Sequence, residues 1–215
     1  MEIKVLKSVL DKNEEYAAGI RTKLEKHGIA MFNLIGSPGS GKTSLLEKTL
    51  PELIDKYRVA AIEGDIETDR DALRLKQFGI PVVLVNTGGS CHLNSKTIEN
   101  AINELDLCGL DIIFIENVGN MVCPSEFDLG EDEKIGIISV TEGDDKPGKY
   151  PLMFREAGVV ILNKIDLIDY TNFSRQAFYR DIHSLNPALK IFECSCFKDQ
   201  GIENWAGWLK TKVKR

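Results

Sequence analysis

The chain has no basic run beyond a short Lys/Arg tail, Lys210 to Arg215, and its formal net charge is -6. Nucleic acid is held by clustered Lys and Arg, so it is not an expected partner. No apolar stretch approaches the ~20 residues a spanning helix needs, and charge enters within the first four residues. Neither a membrane span nor a signal peptide is expected, which points to the cytoplasm. Internal repeats and low-complexity segments are absent. The five cysteines are odd in number and lack framework spacing, which suits reduced thiols or metal ligands better than disulfides. At 215 residues the chain is long enough for one well-buried domain and short for two.

What is present is a phosphate cradle. Gly36-Ser37-Pro38-Gly39-Ser40-Gly41-Lys42-Thr43 fits G-x-x-x-x-G-K-[ST] and follows an apolar run, Ile29 to Ile35, that reads as a strand. Glycines let backbone N–H groups turn inward around phosphates, Lys42 brings positive charge to the β- and γ-phosphates, and Thr43 offers a hydroxyl to magnesium. Ser44 and the amphipathic helix after it, with Leu45, Leu46, Leu50 and Leu53, aim a positive helix end at the same anion. The glycines at 36, 39 and 41 do not fit the dinucleotide spacing G-x-G-x-x-G.

Further runs alternate in type. Val59–Ile62, Val82–Val85, Ile112–Ile115, Ile135–Val140, Val159–Leu162 and Lys190–Phe192 read as strands. Residues 43–56, 69–78, 95–106, 170–184 and 201–213 read as helices. This predicts a doubly wound α/β fold with a mostly parallel sheet. Before it, residues 1–28 form an N-terminal amphipathic helix, with apolar positions from Val5 to about Lys26 and a stop at Gly28. The nucleotide-binding domain spans 29–215.

Ligands in such sheets sit at strand carboxyl ends. After Leu162 comes Asn163-Lys164-Ile165-Asp166, the N-K-x-D pattern of a guanine reader. The Asp166 carboxylate can accept from both N1–H and the exocyclic amine of guanine, whereas adenine presents an acceptor there. The Lys164 stem can lie along the base, and Asn163 can hold the loop. Ser195-Cys196-Phe197-Lys198 follows the next strand, where GTPases bring a backbone N–H to guanine O6. Glu116-Asn117-Val118-Gly119 resembles D-x-x-G with Glu in place of Asp. Its carboxylate can hold magnesium and Gly119 can approach the γ-phosphate. The acidic stretch Glu63 to Asp71 reads as a solvated loop or helix start in the place of switch I. Lys42, Asp71 and Glu116 are the candidate catalytic residues, and Thr43, Asp71 and Glu116 the candidate magnesium ligands. No glutamine is placed to orient water, and no arginine is clearly a finger, although Arg70 and Arg74 are available, so turnover should be slow.

Asn86 to Leu93 is a polar, glycine-rich loop carrying Cys91 and His92, and Cys123 lies in the segment after Gly119. In a doubly wound sheet both loops emerge at the strand ends, so these three could bind nickel or zinc. Water or a symmetric partner would complete a tetrahedral ion. Cys108, Cys194 and Cys196 read as buried small side chains, and His27 and His183 as ordinary helix-end or surface residues.

The P-loop, Glu116 to Asn120 running on to Cys123-Pro124, Thr87-Gly88 with Cys91-His92-Leu93, Thr141 to Asp145, and Asn163 to Asp166 together resemble the HypB family of hydrogenase nickel-incorporation GTPases. The resemblance covers essentially the whole chain from about residue 29. It implies a SIMIBI-class GTPase that dimerises with nucleotide and delivers nickel to the precursor of the [NiFe] hydrogenase large subunit, working with the metallochaperone HypA. It also implies that Cys91, His92 and Cys123 bind metal at the dimer interface, that Asp71 and Glu116 lie near magnesium, and that Lys149 reaches the nucleotide across the dimer. The first 28 residues hold no Cys and one His, so a tight amino-terminal nickel site is not expected. Alternatives are a urease-type nickel chaperone GTPase, in which a proline separates the cysteine and histidine that are adjacent here, and a P-loop small-molecule kinase or ATP-dependent ligase.

Overall fold

The computed structural model describes residues 9–65 and 69–214. The expected helical positions from Val5 to Ser8 and positions 66–68 of the acidic stretch lie outside the described residues.

Continuous Val, Ile and Leu runs make strands that can be covered on both faces. Seven form one sheet: β1 (Ala30–Gly36), β2 (Val59–Asp65), β3 (Val82–Asn86), β4 (Ile112–Glu116), β5 (Glu133–Ser139), β6 (Val159–Asn163) and β7 (Lys190–Glu193). The order is β3-β2-β4-β1-β5-β6-β7, and every pairing between these seven strands is parallel. The helices are α1 (Val9–His27), α2 (Lys42–Thr49), α3 (Arg70–Lys76), α4 (Ser95–Asn103), α5 (Cys123–Glu126), α6 (Lys146–Lys149), α7 (Pro151–Glu156), α8 (Arg175–Leu185) and α9 (Ile202–Lys210). This is the expected doubly wound α/β architecture.

β1 is buried along its whole length and shares its side chains among three packing groups. Ala30, Phe32 and Leu34 pack with Leu45 and Leu46 of α2 and Trp205 and Leu209 of α9. Met31 faces Ile20 and Leu24 of α1 and Ile98 and Ile102 of α4. Ile35 meets Phe154 of α7 and Phe178 of α8. Because β4 and β5 flank β1 while the chain leaves β1 for the more distant β2, the sheet reverses its winding beside β1. A crevice opens there at the strand's carboxyl end, where the P-loop begins.

α2 ends at Thr49, short of the expected residue 56, and continues as a 3-10 turn over Leu50–Glu52. Pro51 explains this: it has no N–H to donate, and its ring collides with the carbonyl four residues earlier. The shortened helix is anchored from behind. Trp205 Nε1 donates to Thr49 Oγ1 at 3.0 Å in a fully buried contact. Trp205→Ala would cost about 3–5 kcal/mol through lost burial and the cavity left behind. α8 starts at Arg175, later than expected, because Ser174 caps it by accepting from Ala177 N at 3.2 Å.

α1 is tied to the loops that follow α5 and precede α4. Asn13 is buried; its Nδ2 donates to Asp128 O at 2.6 Å, and its Oδ1 accepts from Ser95 N at 2.8 Å. Arg21 pairs with both oxygens of Asp128 at 2.9 and 3.0 Å.

Candidate functional site

Gly36 closes β1 with no room for a side chain, since a Cβ would lie 2.5 Å from Ile137 O. Gly41 precedes α2 at φ 99°, and its Cβ would sit 2.3 Å from Asn163 Nδ2. Both conditions favour glycine. The loop between them is held in shape by polar bonds. Lys42 Nζ donates to Gly36 O at 3.3 Å and Ser37 O at 3.4 Å, Asn163 Nδ2 to Ser40 O at 3.0 Å, and Lys164 Nζ to Gly39 O at 2.6 Å. Lys42 is buried, as is the unpartnered Ser40 hydroxyl. A cavity of about 450 Å³ opens over this loop. Its walls include Pro38, Gly39, Gly41, Lys42, Thr43 and Ser44, with Glu63, Asp71, Glu116, Gly119 and Lys164 opposite.

The carboxylates meet the P-loop at Thr43, whose Oγ1 donates to Glu116 Oε1 at 2.7 Å. Oxygens of Glu63, Asp71 and Glu116 all lie within 4.8 Å of one another. Glu63 and Glu116 are each 3% exposed, and the Oε2 atom of each is buried without a hydrogen-bond partner. Burial, then the charge of Glu116, pushes Glu63 up to about 11. Burial also raises Glu116, to about 6, against the pull of Lys42 and the Thr43 hydroxyl. Two buried carboxylates with orphan oxygens beside a threonine hydroxyl suit a hard, oxygen-seeking dication, and magnesium fits that donor set.

Glu63 corrects the reading of residues 63–71 as a solvated loop. It is the residue before the last two of β2 and stands in register with Glu116 of β4, so both side chains leave the sheet on the same face. A glutamate at a strand's carboxyl end was the signal that could have marked it. Arg74 also differs from an available finger. It donates to Asp71 at 2.8 Å, to Glu47 at 2.6 and 3.0 Å, and to Ser44 Oγ at 3.1 Å. Gly119 lies against the P-loop, its missing Cβ only 2.7 Å from Pro38 Cγ.

The residues expected to read the base converge at the ends of β6 and β7. Lys164 adopts a left-handed backbone, φ 60°, uncommon for a residue with a side chain. Its N–H is fixed by Asn163 Oδ1 at 2.8 Å, which also accepts from Cys196 N at 3.4 Å. Ser195 Oγ donates to Asp166 Oδ1 at 2.5 Å and accepts from Lys198 N at 3.1 Å. One asparagine thus spans the P-loop and both base loops.

Cys91, His92 and Cys123 do come together. The two Sγ atoms are 3.2 Å apart, and Cys91 Sγ is 3.6 Å from His92 Nδ1. Ligand atoms of the three lie within 4.8 Å of one another. Burial lowers His92 below the usual imidazole value, which favours the neutral ring, and Phe127 packs on it at a tilt of 31°, 4.1 Å between centroids. The hydrogen bond to Cys123 raises the Cys91 thiol. Cys194 and Cys196 are buried as expected, whereas Cys108 is exposed, contrary to the sequence reading. Lys149 is exposed and pairs with Asp145 one turn earlier. His27 and His183 are exposed on helices α1 and α8.

The two sites are physically joined. Gly36 of the P-loop forms an antiparallel bridge with Asn120, and Ser37 Oγ donates to Met121 Sδ at 2.9 Å. The Asn120 side chain then donates to Cys91 O at 3.2 Å and accepts from Val122 N at 2.9 Å.

A parallel sheet with its P-loop at a central switch point, an N-K-x-D motif at the end of β6 and carboxylates on β2 and β4 defines a P-loop GTPase of the SIMIBI type. Residues 30–193 match the family model of the CobW/HypB/UreG nucleotide-binding domain. The chain is 45% identical over 204 residues to the hydrogenase maturation factor HypB of Escherichia coli K12, covering 95% of this chain and 70% of that one. It is 38% identical over 210 residues to the probable HypB of Methanocaldococcus jannaschii, covering 98% and 95%. Among solved structures, HypB from Helicobacter pylori in complex with nickel superposes with a TM-score of 0.89 at 38% identity, covering 94% of each chain. The chain belongs to the HypB family.

Proposed function

We propose that this protein is a nickel carrier for hydrogenase maturation whose hold on the metal is set by guanine nucleotide. Lys42, Thr43, Ser44 and the backbone of Gly36 to Gly41, with Pro38 and Ser40 shaping the loop, take the phosphates. Asn163, Lys164, Asp166, Ser195 and the Cys196 amide take the base. Thr43, Glu63, Asp71 and Glu116 hold magnesium, which neutralises charge on the β- and γ-phosphates when bound. Gly119 N–H approaches the γ-phosphate. Nickel, or zinc, is the cargo at Cys91, His92 and Cys123, which satisfy a borderline-soft ion. A second copy of the chain completes the shell in a GTP-dependent homodimer. A HypA-like chaperone and the hydrogenase large-subunit precursor are the expected donor and acceptor.

One observation carries the coupled reading: the segment from Glu116 to Gly119 that meets the phosphates runs on through Asn120 to Cys123, and Asn120 bonds to both the P-loop and the Cys91 backbone. Hydrolysis is slow, on the order of 10⁻³ s⁻¹ or below, since Arg74 is engaged by Glu47 and Asp71. The test is nickel and zinc titration, with molar mass measured in parallel, in GDP and in a non-hydrolysable GTP analogue. Tighter metal binding and a dimer with the analogue are expected; identical affinities in both states refute the coupling. Metal analysis of Cys91→Ala and Cys123→Ala beside the wild type tests the ligand set.

A further inference from the structure

Leu93 and Leu129 stand in the two segments that carry the thiol–imidazole cluster, two residues after Cys91 and six after Cys123. Their amides are connected through the interior by side chains alone. Leu93 N–H donates to Asn117 Oδ1 at 3.3 Å, and Asn117 Nδ2 donates to Asn33 Oδ1 at 3.2 Å. Asn33 Nδ2 donates to Glu131 Oε1 at 3.0 Å, and Glu131 Oε2 accepts from Leu129 N–H at 2.6 Å. Asn33, Asn117 and Glu131 are all buried.

Asn117 is the member of this chain that also borders the P-loop cavity. It follows Glu116, and its own N–H donates to Leu34 O at 3.0 Å. Its Oδ1 accepts from Val118 N at 3.0 Å as well as from Leu93 N. With two backbone donors on its oxygen and an acceptor on its nitrogen, the amide has one satisfied orientation. A shift of residues 117–119 toward a γ-phosphate must therefore either carry the Leu93 amide along or leave buried polar groups unpaired, the costlier outcome.

We infer that Asn117 is the positioning residue through which nucleotide state sets the spacing of Cys91 and His92 relative to Cys123. This rests on the coupled reading above and adds the physical element that both sites bias. A purely structural Asn117 would contribute stability and leave the dependence of metal affinity on nucleotide unchanged.

The test titrates Ni²⁺ into the full chain, wild type and Asn117→Ala, with magnesium and either GDP or the non-hydrolysable GTP analogue. The wild-type affinities should differ by about tenfold, inside the usual range of about 5- to 150-fold for coupled sites. Asn117→Ala should bind both nucleotides while its two nickel affinities fall within about twofold of each other. An Asn117→Ala protein that keeps the wild-type ratio, or that loses nucleotide binding altogether, overturns the role of Asn117 and leaves the coupled reading standing. A wild-type ratio of one overturns both. Should Asn117→Ala fail to fold, ¹⁵N-leucine labelling of the metal-free wild type supplies the readout. The Leu93 amide signal must move between GDP and the analogue, and an unmoved signal overturns the proposal.

Discussion

Replacing Glu63 with glutamine should stabilise the protein when nucleotide and magnesium are withheld, even though it damages the proposed magnesium site. Glu63 is 3% exposed, faces Glu116 across the β2–β4 register and has a buried oxygen with no partner. Burial and the neighbouring charge hold its proton to about 11, against an ordinary value of 4.5. Between those two values the folded chain binds a proton that the unfolded chain has released. Stability therefore falls as pH rises, by about 1.4 kcal/mol per pH unit. Across the roughly 2.5 pH units from the ordinary value to neutrality, the cost reaches about 3 kcal/mol, a large share of a typical 5–15 kcal/mol. Glu116, raised to about 6, steepens the loss at the acid end of the same window. Glutamine keeps the shape and is neutral at every pH, so it removes the Glu63 contribution. Urea denaturation in EDTA between pH 5 and 8 measures this. The wild type should lose stability steadily across the range, and Glu63→Gln should be flatter and about 3 kcal/mol more stable at pH 7. Parallel pH profiles for the two proteins would show that Glu63 is ionised and solvated, and the argument from burial would be wrong.

Asp166→Ala should abolish the preference for GTP over ATP, read by nucleotide competition. Charge-assisted hydrogen bonds of about 1.5–3 kcal/mol predict at least a tenfold loss of GTP affinity. Equal use of ATP by the wild type would instead favour the kinase or ligase alternative. Gly41→Ala should fold poorly or lose nucleotide, because φ 99° and a Cβ contact of 2.3 Å to Asn163 Nδ2 combine at one position. Isothermal titration showing wild-type GDP affinity would contradict that. Acid should also loosen α1. Burial works to raise Asp128, but the Gly130 N–H and the Arg21 guanidinium outweigh it and hold it low. Its contribution is complete above the ordinary carboxylate value of about 3.9 and is lost as pH falls toward the folded value. Arg21→Ala should shrink that acid-limb loss in the denaturation profile, the Gly130 N–H remaining, and an unchanged limb would count against the pairing.

The strands were legible because a parallel sheet covered on both faces demands unbroken apolar runs, and seven such runs stand out in this chain. Helix ends were less so. Pro51 stops α2 at Thr49, yet proline is also common in a first helical turn, as at Pro151 in α7. The P-loop, the guanine reader and the Cys91, His92, Cys123 convergence followed from short motifs and from the rule that loops meet at strand ends. Glu63 was missed for a different reason. In sequence it is one of several acids between 63 and 71, and only the register with Glu116 separates a buried carboxylate from its neighbours. Asn33, Asn117 and Glu131 were invisible as a group because their partners are 84 and 98 positions apart, a distance at which no local pattern operates.

The same burial that hides these residues explains why the two sites can influence each other. Exposed polar contacts exchange freely with water and transmit little, whereas a buried amide must keep its partners or carry the cost of losing them. Glu63 and Glu116 hold unpartnered oxygens beside the P-loop, so a cation bound with nucleotide displaces the Glu63 proton but no protein partner. One residue beyond Glu116, Asn117 has its side-chain oxygen and nitrogen and its backbone N–H engaged and cannot yield without moving the Leu93 amide. In the proposed coupling, unpartnered oxygens on the phosphate side and a paired Asn117 amide on the way to the thiols are the combination that converts ligand binding into displacement. A chain with both sides satisfied would bind without moving, and one with both sides loose would move without consequence for the metal.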